Sequence, residues 1–229
     1  MLALPSVGCR ALLAGSFAGF ALLLAACGGS GTALPAAPGS NGVAPGYMRV
    51  AFTVAGRLDF SKYSYWVVLN TSGNGRTPEA GLDRVSWAAY SFAFKVDQVA
   101  GSPSFVQAIE FIKRPGVPPA MLGLHPTPAQ LQYVANGSAS GGAFTITFAR
   151  SLLSGHGASV SDAWLFNAYT LSVDSNVGVH DTMGRCSTCF VSPALDVDRV
   201  FDRTVPAQSN AEAIPAAARI VSVAFDNDP

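Results

Sequence analysis

Two cysteines three positions apart are the residues of this chain with the most distinctive chemistry. Cys186 and Cys189 form a Cys-x-x-Cys pair, and His180 and Asp181 stand shortly before them. A thiolate in such a pair attacks disulfides, so one interpretation is a redox site. A second is a metal site that includes His180 and Asp181, although zinc takes four ligands and no second Cys-x-x-Cys is present. The third, which we favour, is a disulfide that closes a small loop in an irregular segment.

A further cysteine lies near the amino terminus, behind an apolar stretch. The start of the chain carries one charge, Arg10, followed by an apolar run over residues 11–24 and small residues before Cys27. This order is typical of a secretory signal peptide. The run is shorter than the roughly 20 residues that span a bilayer as a helix. We therefore predict that residues 1–26 are a signal peptide.

The stretch Leu24-Ala25-Ala26-Cys27 resembles the lipobox of bacterial lipoproteins. The resemblance implies that the Cys27 thiol carries diacylglycerol, that the chain is cut before it, and that the new amino group takes an acyl chain such as palmitate. Two or three acyl chains anchor a protein to a membrane without a transmembrane span. Gly28 stands where Asp would favour the inner membrane. The implied location is the extracytoplasmic cell envelope, at the outer membrane where the host has one.

The cysteine count agrees with this interpretation. The chain has four cysteines. Cys9 leaves with the signal peptide and Cys27 takes the lipid, so Cys186 and Cys189 remain as a pair. An extracytoplasmic compartment is oxidising, which favours their disulfide.

Composition excludes some classes of partner and divides the chain. Lys and Arg number 14, and Asp and Glu also number 14, with no basic cluster. The sequence therefore lacks the electrostatic footprint of a nucleic-acid-binding protein and the polybasic stretch of a membrane-surface protein.

Residues 28–46 are rich in Gly, Pro, Ala and Ser without periodicity, so 27–46 are predicted to be the lipidated cysteine and a flexible tether. Residues 47–229 then form a single domain.

The domain sequence alternates with period two, which is typical of half-buried strands. Strands are predicted over residues 47–54, 63–70, 86–97, 105–113, 130–135, 144–148, 162–173 and 220–225. A turn is predicted over 136–142, a helical turn near Ser151, and a short helix over 211–218. Segments 114–129 and 174–206 are predicted to be irregular, the first because prolines lack a donor for a sheet ladder. These elements predict an all-β antiparallel sandwich, jelly-roll-like in form.

The stretch Phe144–Leu153, followed by Trp164–Tyr169, is similar to a late strand–turn–strand unit of DOMON and family-nine carbohydrate-binding sandwiches. The resemblance implies two antiparallel sheets with a sugar or haem site at a sheet face or rim. No ligand residue of those families matches a position in this chain. Fold likeness does not establish function.

Aromatic and acidic residues supply the remaining candidate sites. Trp66, Trp87 and Trp164 are candidates for ligand binding, because rings on a sheet face stack on sugars, but in alternating strands such rings also fill cores. The acids near Asp196, Asp198 and Asp202 suit either calcium or, as we favour, a solvated face. His125 and His156 are predicted to be surface loop residues.

The sequence contains no pattern that assigns a reaction. It has no Gly-x-Ser-x-Gly motif and no phosphate-binding glycine loop. We therefore predict no catalysis, no cofactor and no metal. The predicted function is a lipid-anchored binding module for carbohydrate or another small ligand. The alternative is a structural or partner-binding envelope lipoprotein without a small-molecule ligand.

Overall fold

The computed structural model describes residues 42–72, 87–138, 141–174, 178–183, 190–195, 198–202 and 214–229, which all belong to one compact unit. The strands are β1 (Tyr47–Val54), β2 (Tyr63–Asn70), β3 (Phe92–Asp97), β4 (Phe105–Arg114), β5 (Val117–Gly123), β6 (Leu131–Ser138), β7 (Gly141–Ala149), β8 (Trp164–Ser172), β9 (Val179–Thr182), β10 (Phe190–Val191), β11 (Arg199–Asp202) and β12 (Ile220–Asp228). A 3₁₀ turn at Trp87–Ala89 and one helix, α1 (Arg150–Ser154), join them.

Two antiparallel sheets pack face to face, which confirms the predicted all-β sandwich. The five-stranded sheet has the order β11-β12-β1-β7-β6. The seven-stranded sheet has the order β10-β8-β2-β3-β4-β5, and β9 also pairs with β8. The described strand pairs are antiparallel. Within the described ranges, no helix combines the length and the apolar character needed to cross a bilayer.

The alternation in β1 produces a strand with one buried face. Met48, Val50, Phe52 and Val54 are at most 1% exposed, and the residues between them are half-buried. Successive side chains of a strand point to opposite faces, so these four enter the space between the sheets. There Phe52 stacks on Phe144 of β7 at 4.8 Å between ring centroids. Together they belong to the main core, which lies between the two sheets.

Strand β2 is buried on both faces. Tyr65, Val67 and Leu69 join the main core, whereas Trp66 and Val68 point to the other side of the sheet. On that side they belong to a second apolar group, the outer cluster: Trp66, Val68, Trp87, Ala89, Tyr90, Ala93, Ile109, Phe111, Tyr169 and Leu171. A strand with two buried faces has a nearly continuous apolar sequence, as residues 63–70 do.

The prediction that residues 114–129 are irregular is wrong. Val117–Gly123 forms β5 and pairs with β4. Strand β5 is the edge of its sheet, where a missing N–H is tolerated on the side that faces away from the ladder. Its prolines, Pro118 and Pro119, lie where the register against β4 shifts, between Ile112 and Arg114. The prolines therefore mark an edge strand with a bulge, not a loop.

Other boundaries also differ from the predictions. The described part of the strand predicted over 86–97 consists of two elements. The first is the 3₁₀ turn, closed by a hydrogen bond from Tyr90 N to the Trp87 carbonyl (3.1 Å), and the second is β3. The turn predicted over 136–142 is shorter, because Ser138 already pairs with Gly141. Segment 174–206 contains β9, β10 and β11.

The carboxyl-terminal part of the structure differs from the sequence interpretation in two places. Residues 214–219 form a turn instead of the helix predicted over 211–218, of which residues 211–213 lie outside the described residues. Val221 is 42% exposed, although regular alternation along the strand predicted over 220–225 would place it on the face of Val223 and Phe225. The register of β12 against β1 shifts there, so that Val221 is an extra residue that bulges outward.

Buried polar side chains join elements that the sheets do not pair. The Asp181 carboxylate on β9 is 3% exposed and accepts a hydrogen bond from Ile220 N on β12 (2.7 Å). The Asn227 amide, also buried, donates to the carbonyl of Ser192 (2.9 Å) and accepts from Arg150 (3.1 Å). Burial lowers the pKa of Arg150. These bonds satisfy buried groups and fix residues 190–195 against the end of the sandwich.

A close backbone approach gives a first prediction. Gly142 N donates to the carbonyl of Gly56, and a Cβ at position 142 would lie 2.6 Å from Leu58 N. Gly142→Ala should lower the free energy of unfolding by roughly 1–3 kcal/mol, because backbone must move to admit the methyl group. Gly123→Ala is the control, since a Cβ there meets no atom within 4 Å. Equal urea midpoints for the two variants would contradict the prediction.

The buried hydroxyl of Tyr65 gives a second prediction. It donates to the Ala217 carbonyl (3.0 Å) and accepts from Asp59 N (2.9 Å), and burial raises the pKa of Tyr65 above its ordinary value. The unfolded chain loses this proton at about pH 10 while the folded chain retains it. Stability should therefore be full below about pH 10 and should fall at higher pH.

Tyr65→Phe tests this assignment. The variant should be less stable at neutral pH by about 1 kcal/mol, because it loses the bond to Ala217. It should also lose less stability than the parent protein when the pH is raised above about 10. Urea midpoints measured across this pH range give both quantities. An unchanged alkaline slope in the variant would show that Tyr65 is not responsible.

Candidate functional site

A depression in the described part of the chain lies on the outer face of the seven-stranded sheet. We call it the sheet groove. Its volume is about 420 Å³, within the range of roughly 300–1,000 Å³ that holds small-molecule ligands. Its lining includes Trp66, Lys95, Gln107, Ile109, Gly123 and His125.

Strand pairing brings these residues together. Trp66 lies opposite Lys95, and Lys95 lies opposite Gln107, so the three form a row across β2, β3 and β4. Ile109 lies opposite Gly123 in the next row, on β4 and β5. Directly opposed residues of antiparallel strands share a face of the sheet. Because Gly123 has no side chain, the space above Ile109 stays open.

The charges in the groove are balanced. Lys95 Nζ lies 2.7 Å from Asp97 Oδ2 and 5.6 Å from the centroid of the Trp66 ring. Both charged side chains are mostly buried, at 15% and 13% exposure. The carboxylate and the face of the ring both stabilise the ammonium group. The exposed side chains of Gln107 and His125 add hydrogen-bond donors and acceptors to the groove.

The three tryptophans predicted to bind ligand do not form an exposed platform. Trp66 and Trp164 are 0% exposed and Trp87 is 8% exposed. Trp164 is in the main core, on the opposite side of the sheet from Trp66, and its indole N–H donates to the Ser159 carbonyl (2.9 Å). Trp87 stacks on Phe111 at 5.1 Å. Of the three, Trp66 lines the sheet groove, and its role in binding stays a prediction.

A buried polar network lies beside the groove, on the same face of the seven-stranded sheet. The hydroxyls of Tyr90 and Tyr169 are 2.6 Å apart, and the Asn167 amide donates to Tyr169 (3.1 Å). All three side chains are 0% exposed. Tyr169 lies directly opposite Trp66 in the sheet. In contrast, Trp87 Nε1 is buried without a hydrogen-bond partner among the described residues.

Another depression, of about 270 Å³, lies where β4 meets the loop after α1. His156 Nδ1 is 2.9 Å from Glu110 Oε2, and Ser72 and Ser91 also line this space. A carboxylate–imidazole pair needs a hydroxyl in reach to act in nucleophilic catalysis. Here the Ser91 hydroxyl accepts from Thr71 N (3.3 Å), and that of Ser72 donates to Asn70 (2.6 Å). Within the described residues, neither is hydrogen-bonded to the imidazole.

Several predicted sites lie outside the described residues. They are Cys27 with residues 28–41 of the predicted tether, and the pair Cys186 and Cys189, so lipidation and the disulfide stay predictions. The last residues of the predicted tether, 42–46, are described, and Val43 and Ala44 among them are buried. His180 is exposed, whereas Asp181 bonds to backbone N–H groups. The described residues contain no group of three or more His, Cys, Asp or Glu placed to hold a metal ion.

The acidic segment is only partly described. Asp198 accepts a hydrogen bond from Asn227 N (3.0 Å). Asp196 and the side chain of Asp202 lie outside the described residues. The calcium and solvated-face interpretations of this segment both stay untested.

The sequence interpretation did not assign Lys95, Gln107 or Gly123 to a binding site. One signal was available, because Lys95 is a charged residue in the otherwise apolar run of residues 92–96. A cation within a strand that is buried on both faces requires a partner or an opening to solvent. Gly123 had no such signal, since β5 was not recognised as a strand.

Comparison of the chain with protein-family models, with curated proteins and with solved structures found no match. The resemblances to lipoproteins and to DOMON-type sandwiches therefore stay predictions. The function has to be proposed from the groove itself.

Proposed function

We propose that this protein is a non-catalytic binding domain whose ligand, a carbohydrate or another small neutral molecule, occupies the sheet groove. The observation that carries the proposal is the composition of the groove. Ile109 and Met121 supply an apolar lining, and a few polar groups converge around it. This combination is typical of small-molecule sites.

The charge balance favours a ligand without charge. Lys95 already pairs with Asp97, so an anionic ligand would compete with a carboxylate at 2.7 Å. Sugar hydroxyls both donate and accept hydrogen bonds, as the amide of Gln107 also does. The apolar face of a sugar ring would pack on Ile109, which lies beneath the open space beside Gly123.

A substitution that fills the groove gives a third prediction. Gly123→Trp should weaken ligand binding by roughly tenfold or more, because its side chain projects into the space above Ile109. The fold should be preserved, since a Cβ at this position meets no atom within 4 Å. A glycan array would identify the ligand, and calorimetry would compare the variant with its parent.

Val134→Trp is the matched control for this variant. Val134 is 55% exposed and lies on β6, in the other sheet. Its variant adds the same ring to the surface and should bind the ligand as the parent does. Equal affinity of all three proteins would exclude the groove as the site. Absence of binding to any sugar class would count against the carbohydrate proposal itself.

We also propose that a lipid on Cys27 holds the domain at the cell envelope. The proposal is supported by the sequence pattern before Cys27. Cys27→Ser should abolish incorporation of labelled palmitate and should release the protein from membranes. A variant that still fractionates with membranes after removal of the signal peptide would contradict the anchor.

A partner-binding role is the second candidate, and one surface favours it. Phe190 on β10, Leu195, and Val200 on β11 are 38%, 58% and 67% exposed. Arg199 lies 5.2 Å from the Phe190 ring. This contact connects β11 with β10, which are edge strands of the two sheets. Exposed apolar side chains at the edges of two sheets are candidates for a protein contact. Cross-linking in the envelope that traps one specific partner, together with no glycan binding, would favour this role.

A further inference from the structure

Part of one edge of β4 is left open beside the sheet groove. Strand β4 begins at Phe105, but its pairing with β5 covers residues 109–114, because β5 ends at Gly123 opposite Ile109. Leu124 N still donates to the Ala108 carbonyl (2.8 Å), and the chain then leaves the sheet. Among the described strands, residues 105–108 are therefore paired with β3 alone.

Two hydrogen bonds show which backbone groups of β4 face the open edge. Alternate residues of an antiparallel strand direct both their N–H and their C=O to the same neighbour. Phe111 N donates to the Ser91 carbonyl just before β3 (2.8 Å), so the odd-numbered residues of β4 face β3. The Ala108 carbonyl accepts from Leu124 N on the other side. The N–H of Ala108, and the N–H and C=O of Val106, therefore point to the open edge.

The Ala108 N–H is a buried donor without an acceptor in the described part of the protein. Leu124 bonds to Ala108 in one direction, and the ladder register starts at the next pair, Ile109 and Gly123. Ala108 is 1% exposed, so water reaches it poorly. A buried N–H without a partner is rare and costs free energy. An acceptor supplied by a ligand would remove that cost.

This N–H faces the sheet groove. Val106 and Ala108 both line the groove. Their side chains, however, pack in or against the main core, which lies on the opposite face of the sheet. The part of these residues that reaches the groove is therefore their main chain. The groove thus contains a backbone donor and a backbone acceptor beside the side chain of Gln107.

We propose that the Ala108 N–H is a specificity-determining donor of the sheet groove and binds a hydroxyl oxygen of an uncharged, hydroxylated ligand of the sugar class. This role rests on the proposed function, because the ligand is the one that occupies the groove. The Val106 carbonyl accepts from the same ligand, since a hydroxyl both accepts and donates. A site with a buried donor rejects an analogue that lacks the hydroxyl, because the donor is then left unpaired.

A peptide that adds to β4 as a further strand is the competing occupant of this edge. The open edge offers bonding groups from Val106 and Ala108, whereas strands usually contain at least three residues. The space beside the edge is the groove of about 420 Å³, which suits a small molecule. The shortness of the edge therefore favours a small ligand over a strand.

An amide-to-ester substitution tests the donor. Ala108→lactic acid, introduced into the full-length protein, removes the N–H and keeps the methyl side chain. The affinity for the glycan, measured by calorimetry, should fall roughly threefold or more, because one hydrogen bond is lost. Monodeoxy analogues of the glycan then identify the paired hydroxyl. The analogue that lacks it should bind the parent more weakly, and its further loss should be absent in the variant.

Ala135→lactic acid is the matched control. Ala135 is exposed and lies on β6, the edge strand of the other sheet. Its N–H also faces away from its ladder, because Ala149 N of β7 donates to the Gln130 carbonyl and the even-numbered residues therefore face β7. This variant should bind the glycan as the parent does. Equal affinity of the two ester variants would overturn the role of Ala108.

Amide NMR decides the question if the ester variant does not fold. In the ¹⁵N-labelled parent, the glycan should shift the Ala108 amide signal and slow its exchange with solvent. The Ala135 amide should be unaffected. A glycan that binds and leaves the Ala108 amide unchanged would overturn the role.

The outcomes separate this role from the proposed function. A parent that binds a glycan and is blocked by Gly123→Trp, while the two ester variants bind equally, overturns the role of Ala108 alone. A parent that binds no sugar of any class overturns both. Binding of an extended peptide in place of any glycan would assign the open edge to an added strand and would also overturn both.

Discussion

The burial of β2 on both faces is the constraint on which the rest of the structure depends. An antiparallel sheet often leaves one face to solvent, but Trp66 and Val68 are fully buried on the outer side. The 3₁₀ turn contributes Trp87, whose ring lies 4.9 Å from that of Trp66. The sheet groove lies on the same face, where Gln107 and Gly123 stand in place of large apolar side chains.

The same constraint explains how the polar groups beside the groove are held. A buried hydroxyl or amide is costly without a partner, so Tyr90, Tyr169 and Asn167 bond to one another. Such a satisfied network fixes Tyr90, which follows the 3₁₀ turn, against β8. Lys95 is held in a similar way, by Asp97 and by the Trp66 ring. A binding surface built on strands supported in this way is organised before the ligand arrives, which reduces the entropic cost of binding.

The sequence allowed the sandwich to be predicted, but not the groove. Alternation in β1 and the apolar run in β2 each follow from burial, so both strands were correctly placed. The prolines of β5 hid an edge strand, and without β5 the residues Gly123 and His125 had no neighbours. Period two also cannot show whether the outer face of a sheet is covered, and so it left open whether Trp66 and Trp164 were exposed or buried.

The indole N–H groups offer the most direct test of the proposal that the sheet groove binds the ligand. Trp66 Nε1 donates to Ser64 Oγ (2.9 Å) on the groove side of the sheet, and Trp164 Nε1 lies in the main core. Titration of ¹⁵N-labelled protein with the glycan found by array screening should shift the NMR signals of the Trp66 indole and the Gln107 side-chain amide. The Trp164 signal should stay unchanged. A shift at Trp164 with none at Trp66 or Gln107 would place the ligand elsewhere and contradict the proposal.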